Sequence, residues 1–232
     1  MTPRSLVSIL VLGTGLAALA FAGRAPQDAP PIIPSGSTPG TLSLDEIRAA
    51  LAAPDAHTPF VPESMVGLPP DLSEYIPKDD PLTKAKVELG KQLYFDPRLS
   101  ADSTVSCASC HHPDHVWTDG RPVSTGIHGQ LGGRSAPTVM NRLLGKSQFW
   151  DGRAATLEAQ AAGPVENSVE MGFKWQDAAE VVSGIEGYEL QFDAVFGSAP
   201  TDELITRAIA AFELTVLAGD SQPGAALGVL VK

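Results

Sequence analysis

Thiols are almost absent from this chain: of 232 residues only Cys107 and Cys110 are cysteine, and they stand three positions apart. Two thiols do not suffice for the two-knuckle zinc arrangement, which needs two separated pairs. Basic residues are also scarce, with 16 Lys plus Arg against 27 Asp plus Glu and a formal net charge of -11. That balance argues against a nucleic acid partner and suits docking of a basic one, such as a small electron-carrier protein. There is no internal repeat, and beyond the first two dozen residues no apolar run reaches the length of a membrane span.

The one long apolar run stands at the start. Arg4 precedes Leu6 to Phe21, and Ala20-Phe21-Ala22 supplies a small-x-small cleavage pattern, so residues 1–22 read as an export signal. The expected destination is the periplasm, with no membrane attachment after cleavage. Residues 23–81 read as a Pro-rich linker and N-terminal extension: up to Pro39 there is little to bury. Ser43 to Ala53 then offers a short helix with Ser43 as N-cap and Glu46 closing a capping box. Prolines from Pro54 to Pro81 keep the chain extended as far as Leu82. Residues 82–219, about 140 positions, are enough for one core and hence one domain. Residues 220–232 read as a truncated tail.

The chemistry concentrates in Val105 to His112, V-S-C-A-S-C-H-H. Two thiols three positions apart can add to the two vinyl groups of a haem, and the imidazole that follows can ligate the iron. Cys107 and Cys110 are therefore expected as covalent anchors of one haem c, with His111 as proximal ligand. A zinc site recruiting His112, His115 or His128 and a plain disulfide are the alternatives. A thioredoxin-like pair would need a βαβ context, whereas Asp102-Ser103-Thr104 and His112-Pro113-Asp114 read as loop.

Around this motif the pattern is helical. Thr83 to Phe95 places Val87, Gly90, Leu93 and Tyr94 on one face, and Asp96-Pro97 stops it. Gly90 invites a close helix crossing, with Tyr94 one turn on to fill the space beside it. The expected partner is Thr201 to Leu217, capped by Thr201, with Ile205, Ala208, Ile209, Phe212 and Val216 as its buried stripe. Trp117 to Asn141 shows little periodicity and much glycine, and another helix begins near Thr156. First and last helices crossing beside a haem loop resemble class I cytochromes c. The fold class expected is all-α, a class I cytochrome c-like domain around one covalently bound haem c, with long loops.

Strings in fixed order then carry a wider resemblance: L-G-K-Q-L-Y-F-D-P-R-L-S, S-C-A-S-C-H, T-D-G-R-P-V-S-T-G, G-G-R-S-A-P-T, Q-F-W-D-G-R-A-A-T-L-E-A-Q, V-E-M-G and A-I-A-A-F-E-L-T. From about Leu82 to Gly219 the chain resembles the N-terminal, peroxidatic haem domain of the bacterial di-haem cytochrome c peroxidase and MauG family. The resemblance implies reduction of hydrogen peroxide with electrons from a small redox protein, a cytochrome c or cupredoxin, and holds a homodimer open. It implies that Glu158 is the distal acid/base and Gln148 the distal amide. Arg134 and Arg153 are then expected at haem propionates or a carboxylate, and Trp150 in the packing. The family's reversible histidine ligand falls by count on Ile127, which leaves His128 as the expected ligand after a one-residue shift. Ser135 stands where the family often has asparagine beside a calcium ion, which weakens the case for calcium.

No second Cys-x-x-Cys-His follows. Two other readings stay open: a mono-haem electron-transfer cytochrome with Met171 or Met140 on the iron, or an inactive truncated fragment.

Overall fold

The computed structural model describes residues 42–219, so the expected signal and tail lie outside the described residues. Seven helices account for the regular structure there: α1 Leu44–Leu51, α2 Lys84–Phe95, α3 Cys107–Cys110, α4 Leu157–Glu166, α5 Trp175–Ser183, α6 Glu186–Phe196 and α7 Asp202–Glu213. Between them run single 3-10 turns and isolated bridges, with no strand of a sheet among the described residues.

Local chemistry sets the helix starts. In α1, Ser43 and Glu46 form the reciprocal capping box, with Ser43 N donating to Glu46 Oε2 at 2.8 Å. Thr83 accepts from Lys86 N at 3.2 Å to open α2, and Thr201 accepts from Leu204 N at 3.2 Å to open α7. Asp202 and Glu203 add negative charge to the positive end of α7. The last helix stops at Glu213, short of the expected Leu217. There Asn141 takes hold of the chain, its Nδ2 donating to Ala218 O and its Oδ1 accepting from Ala218 N, both at 2.8 Å. These bonds replace continuing helical ones, while Val216 stays buried.

Helices α2 and α7 cross at the centre of the domain. A Cβ on Gly90 would lie 1.8 Å from the carbonyl oxygen of Ala208, so the backbones meet where only glycine fits. One turn on, fully buried Tyr94 packs edge-on against Phe212 (5.1 Å between centroids) and Trp117 (5.9 Å). Helix α4 lies against α7, and Met171 N and Phe173 N take the carbonyls of Pro164 and Val165 near its end. Helices α5 and α6, which the sequence patterns left unnamed, close the other side of the core through Ala178, Val182, Tyr188 and Phe192.

The proline-rich stretch is packed onto this core. Leu72, Ile76 and Leu82 are buried with Leu143, Leu157 and Leu214 in a second apolar cluster. Ile47 of α1 seats against Gly187 of α6. Asp80 joins stretch and core, accepting from buried Lys86 Nζ at 2.7 Å and from Arg207 of α7 at 2.8 Å. A half-buried carboxylate shared by two cations fixes the segment where α2 and α7 begin.

Candidate functional site

Helix α3 is a single turn closed by its own serines, with Ser106 N donating to Ser109 Oγ at 3.0 Å. It sets Cys107 and Cys110 three residues apart, on one face. Tyr94 Oη donates to His111 O at 2.8 Å, tying the motif to the α2–α7 crossing. His111 Nδ1 lies 2.9 Å from Pro137 O. A carbonyl only accepts, so Nδ1 carries the proton and Nε2 keeps its lone pair. Burial pushes the imidazole below its ordinary pKa, which keeps it neutral and able to ligate. Both thiols are free, and burial pushes each of them up.

Cys110 and His111 line a cavity of about 420 Å³ whose other walls come from the loops at Pro137 and Gln148, from α4 and from the end of α7. Besides Glu170, which accepts from Asn167 Nδ2 at 2.7 Å, its charged side chains fall into two sets. Asp151 accepts from Arg134 at 2.8 Å and Arg153 at 2.9 Å, and these guanidiniums, Arg134 first, hold its carboxyl down to about 2. The Arg153 guanidinium also lies 3.4 Å over the ring of Phe149. Deeper, Arg142 Nε donates to Gln148 Oε1 at 2.8 Å. Beside them stands Glu213, 5 % exposed, whose Oε2 is buried with no hydrogen-bond partner. Burial pushes its carboxyl up to about 8; Arg142 opposes the rise and Glu158 adds to it.

These residues fit a haem. A neutral imidazole and the free thiol of Cys110 border one cavity, with the thiol of Cys107 two residues before Ser109 in the same turn; two arginines paired with Asp151 line it, and a buried polar atom lacks a partner. A zinc site finds less support: among the described residues no three His, Cys, Asp or Glu side chains converge as a metal ion requires.

Of the residues singled out in the sequence, the cavity brings together Cys110, His111, Arg134, Ser135, Gln148, Trp150 and Arg153. Cys107 packs at the edge of the apolar core beside it. Glu158, half-buried in the first turn of α4, is not itself in the wall, although Leu157 and Gln160 are. His128 lies outside the cavity, two-thirds exposed, with Nδ1 3.4 Å from Asp102 Oδ2. Among the described residues no methionine lines the cavity; Met171 is a core residue, 2 % exposed. Trp150 departs from its expected place in the packing: it is 63 % exposed at the cavity rim, where its Nε1 donates to Ser135 O at 2.9 Å, in a turn with positive φ at Phe149 and Gly152. Arg142 and Glu213 were missed. The available signal for Glu213 was an acid within the apolar stripe of the last helix, where buried charge needs a reason.

Glu213 carries a pH dependence. Its folded-state pKa lies above the ordinary 4.5, at about 8, so between those values the unfolded chain releases a proton that the folded one keeps. Stability is fully present below the lower value and falls as pH rises through the upper one. Glu213→Gln should flatten the decline in melting temperature between about pH 5 and about pH 8, stabilising the protein at pH 8 by on the order of a few kcal/mol. An unchanged slope would mean that the carboxyl is hydrated in solution.

A family model for di-haem cytochrome c peroxidase matches residues 84–226. The cytochrome c peroxidase Ccp of Escherichia coli K12 is 47% identical over 149 residues, which cover 63% of this chain and 32% of that one. The cytochrome c551 peroxidase of Nitrosomonas europaea is 46% identical over 136 residues, covering 58% and 41%. Among solved structures, a MauG-like protein associated with microbial copper homeostasis superposes with a TM-score of 0.60 at 30% identity, covering 72% of this chain and 51% of that one. The chain thus spans from about a third to two-fifths of the length of these two peroxidases. The matched residues take in the crossing of α2 and α7, the Cys-x-x-Cys-His turn and the cavity beside it, and the chain belongs to the di-haem cytochrome c peroxidase family.

Proposed function

We propose that this domain carries one haem c and reduces hydrogen peroxide, in an exported protein that draws electrons from a small redox partner. The observation that carries the reading is the cavity wall: Cys110 and His111 share it with the Gln148 amide and the Glu213 carboxyl, and among the described residues with no methionine. A methionine-ligated electron carrier would need a thioether there. The relatives named as cytochrome c peroxidases support the same reaction.

The haem, held through Cys107, Cys110 and His111, would supply the redox-active iron. The chain's own residues would do the rest. Pro137 fixes the ring of His111 through Nδ1. Gln148 orients the peroxide by hydrogen bonding. Glu158, the acid/base implied by the resemblance, moves a proton from the inner to the outer oxygen so that water leaves. Glu213 would hold a proton nearby, and Arg134 and Arg153, paired here with Asp151, would be the groups to meet the haem carboxylates. The chain's excess of acidic residues suits a basic electron donor. Among the described residues no helix is long and apolar enough to cross a membrane.

The test is expression in a host that matures c-type cytochromes. A covalent haem that binds cyanide, and peroxide-dependent oxidation of a reduced small cytochrome or cupredoxin, are the expected results. A ferric protein that refuses cyanide and shows the weak far-red band of methionine ligation would mean electron transfer instead.

A further inference from the structure

Gln148 can offer the cavity either end of its amide, a donor or an acceptor, and the two have opposite effects on a bound anion or peroxide. The chain decides between them through a residue outside every motif noted in the sequence. Arg142 Nε donates to Gln148 Oε1 at 2.8 Å, and its terminal nitrogen donates to Ser147 O at 2.6 Å. A guanidinium has five donors and no acceptor, so this contact admits only the amide oxygen. Nε2, which donates to no protein acceptor among the described residues, is then the end left for the cavity. The Gln148 backbone is pinned as well, its N donating to Ala154 O at 2.8 Å, and the residue is 4 % exposed.

The turn between the two residues is shaped for this contact. A Cβ on Gly145 would lie 2.5 Å from an Arg142 terminal nitrogen and 3.0 Å from the guanidinium carbon. Gly145 has φ -76 and ψ 126, which any residue adopts, so its backbone does not require glycine. The glycine instead leaves room for the guanidinium to fold back over the turn.

We infer that Arg142 is a positioning residue: by holding Gln148 Oε1 it turns the Nε2 donors toward the cavity, making the site selective for ligands that accept hydrogen bonds. The inference rests on the haem reading above. Without Arg142 the amide is free to flip and present its oxygen, which repels an anion.

Fluoride, an acceptor without donors, is the probe, and its dissociation constant for the ferric haem protein is the readout. Gln148→Leu and Arg142→Ala should each weaken fluoride binding by about tenfold, the scale of one lost hydrogen bond to a charged group. Arg142→Lys should recover part of the loss, since lysine keeps a donor without the fork. Gly145→Ala should weaken binding in the same direction, chiefly by displacing the flexible guanidinium, with the Arg142 carbonyl 3.2 Å from the new Cβ giving slightly. In the Gln148→Leu background Arg142→Ala should add no further loss, which a general charge or folding effect would not reproduce. If Gln148→Leu weakens fluoride and Arg142→Ala does not, or if the two losses multiply, the positioning role is wrong while the haem site stands. If Gln148→Leu itself changes nothing, the reading of the cavity fails and takes the inference with it.

Discussion

Replacing Cys107 and Cys110 together by alanine is expected to abolish covalently held haem altogether. After denaturing electrophoresis the wild-type band should stain for haem and carry the mass of one porphyrin, and the double variant should do neither. The expectation follows from the turn that holds them: Ser106 and Ser109 close α3 so that both sulfurs leave one face, immediately ahead of His111. Each thiol would add across one vinyl group of the haem, its hydrogen going to the neighbouring carbon, so that attachment would need no external oxidant. A single replacement should leave one thioether and a shifted pyridine haemochrome spectrum, while the double one leaves only the His111 bond and reversible binding. Stability should fall with the haem, because a cavity of about 420 Å³ is then left to water or to collapse. Full staining of the double variant would remove the thioethers from the reading.

The parts of this fold that could be read in the sequence are those whose causes are local. Ser43 with Glu46, Thr83 and Thr201 each cap the helix they precede, and each does so within three residues. Gly90 and Tyr94 signalled a close crossing because a glycine and an aromatic one turn apart have few other uses together. Helices α5 and α6 lacked such marks: Lys174 and Ile185 stand at their N-caps and neither provides a side-chain bond. Their packing against the core holds them instead. The site divides the same way. His111 and its cysteines are contiguous, whereas Arg142 reaches Gln148 only because the chain folds back at Gly145. Glu213 arrives from the far end of the domain, on a helix brought there by the crossing at Gly90. Such juxtapositions depend on tertiary structure, which spacing along the chain does not report.

Glu158→Gln should lower peroxide turnover by about a hundredfold or more, the usual scale for losing a positioned acid/base, with haem content unchanged. Two carboxyls compete for that role. Glu158 stands half-buried at the start of α4, beside Leu157 of the cavity wall, where it is reachable from solvent. Glu213 is in the wall itself, sealed from solvent, with its carboxyl pushed up to about 8 by burial, and Glu158 is close enough to raise it further. Neighbouring carboxyls in unlike surroundings separate into one that keeps a proton and one that exchanges it. On that division Glu213 is expected to stay protonated at neutral pH and, in the proposed reaction, to set the alkaline limb of activity. On the proposed reaction Glu158 is the group expected to carry the proton from the inner to the outer oxygen. Glu213→Gln, which keeps a neutral hydrogen-bonding group, should then remove the alkaline limb with a smaller loss of turnover at neutral pH. The opposite ranking, with Glu213→Gln the more damaging and Glu158→Gln nearly silent, would transfer the acid/base role to the buried carboxyl and leave Glu158 as a helix-end charge.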